Sequence, residues 1–325
     1  MIISRTPLRV SFFGGGTDMP SFYKNHGYGA VLSTAIDKYI YVIINKKFDS
    51  KIRISYSETE IVDKIKDIKH ELVRESLSLL GFTGGLEIVS VSDIPSAGTG
   101  LGSSSTYTVG LLNALHAFRG ENASAMQLAE EACEVEIERC GKRIGKQDHY
   151  IAALGGLQYI KFYSNGSVHS HPVICRYQTK KDLESQLLLV YTNKTRSSSL
   201  VLDEQSKNFD TNESAIQSAK KLRCLANTAQ VHLTYNTLRT FGLLLNKAWE
   251  LKKDLASKIT DDGINHMYVR ALEDGALGGK LLGAGGGGFL LLFAPPEKHK
   301  DILPELRHVP FKLEPQGSKI IYIEE

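Results

Sequence analysis

The sequence predicts an α+β protein built in two parts. Three observations carry that expectation. Strand-like and helix-like runs do not alternate strictly, which argues against a doubly wound parallel sheet. The 325 residues exceed one ordinary domain. A polar, charged stretch from Tyr177 to Glu184 separates two apolar strands, so the parts are expected at 1–180 and 181–325.

Taken in order, strands are expected at Ile2–Phe13, Tyr39–Lys47, Ile52–Ser57, Leu86–Val91, Leu157–Phe162, Val168–Ile174, Leu187–Tyr191, Gly288–Phe293 and Lys319–Ile323. Each is a short run rich in β-branched, aromatic or leucine residues, bounded by turn formers. Helical periodicity covers about Glu60–Leu80, Ser103–Phe118, Ser124–Cys140, Asn212–Gln230, Tyr235–Leu255, Gly263–Asp274 and Glu297–Leu306.

Composition bounds the function. With 42% hydrophobic and 23% charged residues, the chain is globular rather than disordered. Lys plus Arg is 39, Asp plus Glu is 36, and the net charge is +3. No general polyanion-binding surface follows, so nucleic acid is not expected as a partner, and any basic pocket is local. The apolar start carries Arg5, Pro7 and Arg9 and is not a signal peptide. Phe289–Ala294 is stopped by Pro295-Pro296 and is too short to span a bilayer. Cys133, Cys140, Cys175 and Cys224 show no C-x-x-C spacing. They read as reduced thiols of a cytoplasmic protein.

The chain holds 29 glycines, where average usage of about 7% would give roughly 23. They cluster in Gly14–Gly16, in Gly98–Gly102 and in Gly275–Gly288. The second cluster follows a strand and opens into the helix beginning at Ser103. Converging backbone N–H groups and a helix N-terminus make an anion cradle there. No Lys follows the glycines, so it is not a Walker A loop. Taken alone, it is equally a glycine turn with a serine N-cap. The third cluster contains a literal G-x-G-x-x-G at Gly283, Gly285 and Gly288, but a strand follows it, so a dinucleotide fold is excluded.

The helix Ser124–Cys140 gives a sharper signal. At about 100° per residue, Leu128, Ala129, Ala132, Cys133, Val135, Ile137 and Cys140 form one apolar arc. Glu136 falls in its middle, while Glu130, Glu131, Glu134 and Glu138 lie opposite. A carboxylate there is paired, metal-bound or protonated. Asp148 follows close to Lys146, and a nearby cation suits it to accept a hydroxyl proton. Without further context Asp148 is an ordinary helix cap. Phosphoryl transfer needs mainly these ingredients.

Three segments in order now resemble the GHMP kinase superfamily: Thr6-Pro7-Leu8-Arg9-Val10 through Gly16-Thr17-Asp18, Pro95 through Ser105, and Lys280 through Gly288. The resemblance implies an α+β fold with an N-terminal ribosomal S5 domain 2-like half and a C-terminal ferredoxin-like half. It implies ATP along Pro95, Ala97, Gly98, Gly100, Leu101, Gly102, Ser103, Ser104 and Ser105, with Mg²⁺ on Ser104 and Glu136. Asp148 takes the place of the catalytic aspartate and Arg9 that of the arginine beside it. Phe12–Asp18, Ile144–Asp148, Tyr191–Arg196 and Gly275–Lys280 are most similar to bacterial D-glycero-D-manno-heptose 7-phosphate kinases. Gly15-Gly16 stands where galactokinases have Glu-His, which argues against galactose. The substrate implied is a small sugar phosphate, held by Gly15, Gly16, Thr17, Asp18, Lys146, Arg196, Gly285 and Gly286. Lys142, Arg143 and Lys194 are further candidates for its phosphate. A monomer or homodimer is expected. A fucose-type 1-kinase is the alternative enzyme, and a sugar- and ATP-binding sensor the non-enzymatic one.

Overall fold

The first strand, β1 (Ile2–Phe13), is almost wholly buried from Thr6 onward, so both its faces carry side chains that must be covered. The computed structural model describes residues 1–95 and 98–324; Ala97, expected in the phosphate loop, lies outside the described residues. After α1 (Pro20–Tyr23) comes β2 (Tyr28–Lys46), a strand of 19 residues. It pairs antiparallel with β1 along its length, with register shifts after Pro7 and Ser11. Proline cannot donate to the ladder, and a bulge there accommodates it. Only the Tyr39–Lys47 half of β2 was expected. Its first half, buried from Gly29 to Ile36, lacks the alternation that marks a strand with one wet face.

The next region departs from expectation. Glu60–Leu80 is no single helix: β3 (Ile52–Ser55) turns into β4 (Thr59–Val62), and helix α2 covers only Glu71–Leu79. The Glu60 carboxylate accepts from the Lys69 and His70 amides at 2.6 and 3.0 Å, anchoring the start of α2 from outside. Strand β5 (Leu86–Ser92) leads into α3 (Ser103–Phe118), as expected. Helix α4 (Ala125–Cys133) is capped by Ser124 Oγ, which accepts from the Gln127 amide. It then widens into a π-helical turn over Glu134–Arg139. The expected straight helix to Cys140 is corrected here, and such turns mark functional sites. Helix α5 (Gln147–Leu154) and the hairpin β6 (Leu157–Tyr163) and β7 (Val168–Pro172) complete this half.

The polar boundary stretch is itself helix, α6 (Tyr177–Gln186). Strand β8 (Leu187–Tyr191) follows, then α7 (Ser198–Thr211), α8 (Glu213–Thr234), α9 (Leu238–Lys253) and α10 (Asp262–Glu273). Strands β9 (Gly278–Leu281), β10 (Phe289–Phe293), β11 (Arg307–His308) and β12 (Lys319–Ile323) end the chain. Glu297–Leu306 forms only a short 3-10 turn at Pro296–Lys298. Pro304 disfavours helical backbone at the residue before it, and Leu303 sits at φ 45°.

One sheet runs β12-β1-β2-β5-β3-β4, with β6 on β2 and β7 on β6; the other runs β11-β8-β10-β9. Because β12 pairs with β1, a single cut at 180/181 does not separate the two sheets. Helix α8 packs on β2 and α9 on β9, filling the space between the sheets. At their junction Phe241 of α9 meets Phe12 and Phe13 edge-on, with ring centroids 5.4 and 5.1 Å apart, and Phe293 of β10 at 6.1 Å. Among the described residues, no helix is long and apolar enough to cross a membrane.

Candidate active site

The buried course of β1 places Arg9 at the bottom of a cleft, 3% exposed. Its Nε and Nη2 donate to the two carboxylate oxygens of Asp148 at 2.6 and 2.7 Å, and Nη1 donates to the Gly100 carbonyl at 2.5 Å. A two-pronged pair of this kind fixes direction as well as charge. Asp148 is the second residue of α5 and not its cap, so the carboxylate is free for other work. Gly102 allows the approach: a Cβ there would lie 3.1 Å from Asp148 Oδ2 and 3.2 Å from Arg9 Cγ.

Facing this pair is the start of α3. Gly102 precedes it at φ 79° without side-chain capping, and no acid lies in its first turn. The amides of Ser103, Ser104 and Ser105 therefore meet the cleft with the positive end of a 16-residue helix. The third glycine segment, Leu282–Gly288, joins β9 to β10 and closes over the second. A Cβ on Gly100 would stand 2.6 Å from the Leu282 carbonyl, and one on Gly283 2.4 Å from the Gly100 Cα. These glycines are required partly because two loops touch backbone to backbone.

One cavity is lined by Arg9, Gly15, Gly16, Asp18, Gly98, Gly100, Gly102, Ser103, Ser104, Ser105, Asp148, Arg196 and Gly285, among others. A second, smaller in polar character, adjoins it at Ser103 and Ser104 and is lined by Ile40, Tyr56, His70, Leu72 and Tyr107. Asp18 is 1% exposed; its Oδ1 accepts from the Gly16 amide at 2.9 Å and its Oδ2 from the Gln147 amide at 3.0 Å. Burial pushes its carboxyl up, the Gln147 amide opposes this, and nearby Asp148 adds to it.

Several expected residues lie elsewhere. Thr17 is fully buried and spends its hydroxyl on the Gly14 and Ala30 carbonyls at 2.7 and 3.0 Å; it holds the loop and does not line the cavity. Leu101 is fully buried, its carbonyl accepting from the Arg9 amide. Pro95 is exposed and, like Gly286, does not line the cavity. Lys146 sets its Nζ 5.7 Å above the Tyr23 ring. Lys142 pairs with Glu71 at 2.9 Å, Lys194 with Asp261 at 2.7 Å, and exposed Arg143 points to Asp203. Of the expected basic residues beyond Arg9, the cavity keeps Arg196.

Two lysines not expected from the sequence replace them. Lys252 at the end of α9 is 6% exposed and donates to the Leu281 and Gly283 carbonyls at 2.8 and 2.6 Å. Lys280 on β9 is 4% exposed and donates to the Phe12 carbonyl at 3.1 Å. Both line the cavity. Burial, then the Lys280 and Arg9 charges, hold Lys252 well below the ordinary range. Burial, with Arg9 adding to it and Asp18 opposing, brings Lys280 down to about 7. Buried lysines whose hydrogen-bond partners are backbone carbonyls, and whose charge burial disfavours, suit a site that receives an anion to restore it.

Glu136 is fully buried, as its place in the apolar arc predicts. It accepts from Ser104 Oγ at 2.9 Å and Thr108 Oγ1 at 3.0 Å. Lys142 Nζ stands 3.8 Å away and His149 Nε2 3.4 Å away, the latter at an angle that makes no hydrogen bond. Burial raises its carboxyl, but His149, Lys142 and Ser104 outweigh that and hold it below the ordinary value. No cluster of three or more His, Cys, Asp or Glu side chains could hold a metal among the described residues. Mg²⁺ bound mainly by nucleotide phosphates needs only one or two protein oxygens. Exposed Ser104 over an ionised Glu136 fits that requirement.

Comparison with known proteins agrees with this geometry. The GHMP kinases N terminal domain matches residues 64–156 and the GHMP kinases C terminal domain residues 225–308. The D-glycero-alpha-D-manno-heptose 7-phosphate kinase of Campylobacter jejuni is 31% identical over 94% of this chain and 93% of its own length. The L-fucokinase/L-fucose-1-P guanylyltransferase of Bacteroides fragilis is 28% identical over 90% of this chain but 34% of its own. The crystal structure of a D-glycero-D-manno-heptose 1-phosphate kinase from Bacteroides thetaiotaomicron superposes with a TM-score of 0.82 at 23% identity, covering 100% of both chains, which supports the fold. The chain belongs to the GHMP kinases and is a sugar kinase of that family.

Proposed function

We propose that this protein transfers the terminal phosphoryl group of ATP to the anomeric hydroxyl of D-glycero-D-manno-heptose 7-phosphate. One observation carries the reaction: Asp148, clamped by Arg9, faces the N-terminus of α3 across a cavity that also holds Asp18. The nucleotide base fits the aromatic slot by Tyr56, His70 and Tyr107, and its phosphates the amides of α3. Ser104 and Glu136 would hold Mg²⁺, which would supply charge neutralisation at the phosphates. Asp148 accepts or orients the hydroxyl proton as the oxygen–phosphorus bond forms and ADP leaves. Arg9, Lys252 and Lys280 balance the charge on the transferred group.

The heptose assignment rests on the Campylobacter jejuni relative and on the glycines at positions 15 and 16. The Bacteroides fragilis relative favours a second reading, a fucose-type 1-kinase. A panel of heptoses, heptose 7-phosphate, fucose and hexoses decides between them, with product position assigned by phosphorus NMR. Heptose 7-phosphate giving no advantage over the others would overturn the substrate assignment. Glu136→Gln is expected to raise the Mg²⁺ concentration for half-maximal rate several-fold; an unchanged titration returns Glu136 to a purely structural role.

A further inference from the structure

Two polar side chains in the cavity have no work within the protein. Ser11 on β1 is 4% exposed, and its Oγ is buried without a hydrogen-bond partner among the described residues. Gln205 on α7 is 3% exposed; its carboxamide has no hydrogen bond to the described residues and, unlike Ser11 Oγ, is not sealed off but opens onto the cavity. Both line the cavity that holds Asp18 and Asp148. Leaving Ser11 Oγ buried and unpaired costs free energy, and beside it the Gln205 carboxamide faces the cavity with no protein partner among the described residues, so the site is completed by something polar.

Their placement explains the two glycines of the first loop. A Cβ on Gly16 would lie 2.1 Å from Gln205 Nε2, and one on Gly15 3.4 Å from Ser11 Oγ and 3.3 Å from Gln147 Nε2. The space that a side chain at 16 would fill is taken by Gln205, reaching in from the opposite wall, and the space at 15 is bordered by Ser11 and Gln147. Helix α7 also shows how Gln205 is placed. Its buried positions are Val201, Gln205 and Phe209, spaced four apart on one stripe, and Gln205 occupies the place of an apolar residue.

We infer that Ser11 and Gln205 are specificity-determining residues that read hydroxyl groups of the acceptor sugar beside Asp18. A carboxamide and a hydroxyl, each both donor and acceptor, match a polyol; the phosphate-binding cations lie on other residues. The inference rests on the sugar-kinase reading above and deepens it. The loop gives up its own side chains, and α7 supplies the contact from the other half of the chain.

The test compares wild type with Gln205→Leu and Ser11→Ala, using heptose 7-phosphate and its monodeoxy analogues. Each variant is expected to raise the KM for the sugar about tenfold, with the KM for ATP within about twofold. The melting temperature stays level or rises, because neither side chain gives up a hydrogen bond to the described residues. For one deoxy analogue the Gln205→Leu penalty disappears, since the missing hydroxyl is the one it binds. A fall in melting temperature with sugar and ATP KM moving together shows a structural role and overturns the inference. If wild type phosphorylates none of these sugars, the substrate reading fails separately. Calorimetric titration of the same sugars into wild type and Gln205→Leu then decides the subsite: weaker binding by the variant supports it and equal binding overturns it.

Discussion

The two sides of the cavity are made of different material. On the side of α3, the surface is backbone: helix amides and two glycine segments pressed together at Gly100 and Gly283. On the side of Asp18, it is side chains: Asp18, Gln147, Ser11 and Gln205. The difference teaches how each can be damaged. Backbone is broken by adding an atom, and side chains by removing one.

At the meeting of the two sides stands Asp148, and there the largest effect is expected. Asp148→Asn should lower kcat by about 10²- to 10⁴-fold with nucleotide binding largely intact; near-normal turnover would show that neither side delivers its ligand to this carboxylate. On the backbone side, Gly100→Ala places a Cβ 2.6 Å from the Leu282 carbonyl at φ 77°. The loops must part, so the KM for ATP is expected to rise at least tenfold and stability to fall by about 1–3 kcal/mol. A normal ATP KM would mean that the paired loops do not shape the nucleotide site.

On the other side, Gly145→Ala also adds an atom, but against a side chain instead of backbone. Its Cβ would fall 1.9 Å from Asp18 Oδ2, displacing that carboxylate. The KM for the sugar should rise several-fold while that for ATP holds. Equal effects on both would erase the distinction between the two sides. The smallest effect is a pH dependence. Lys280 drops from 10.5 to about 7 in the folded protein, so between those values the unfolded chain binds more protons. Stability of the ligand-free protein therefore rises with pH across that window. Activity that needs the ammonium falls over the same range. Lys280→Met should flatten both trends, and parallel rather than opposed trends in wild type would refute the role given to Lys280.

The same contrast governs what was legible in the sequence. Glycines record backbone demands at their own positions, so the segments at 14–16, 98–102 and 275–288 could be read directly. Glu136 was legible because it breaks an apolar arc. The π-helical turn that contains it was not, since it changes the period without changing residue types. Helix α7 was missed because Gln205 interrupts the apolar stripe of Val201 and Phe209 that would have announced it. Lys252 and Lys280 look like any solvated lysines in a chain with 39 basic residues. Only tertiary folding, which brings the end of α9 and β9 beneath β1, shows them buried.

The pairing of β12 with β1 has a mechanical consequence. The second sheet and its helices are tied to the first sheet twice, through 173–176 on the way out and 309–318 on the way back. The return path is stitched to the first sheet, where the Glu314 amide donates to the Ala35 carbonyl and the Lys312 amide to Asp37 Oδ1 at 2.8 Å. Two covalent crossings, with α8 packed on β2 and Phe241 against Phe12 and Phe13, hold the halves in one register on either side of the cleft.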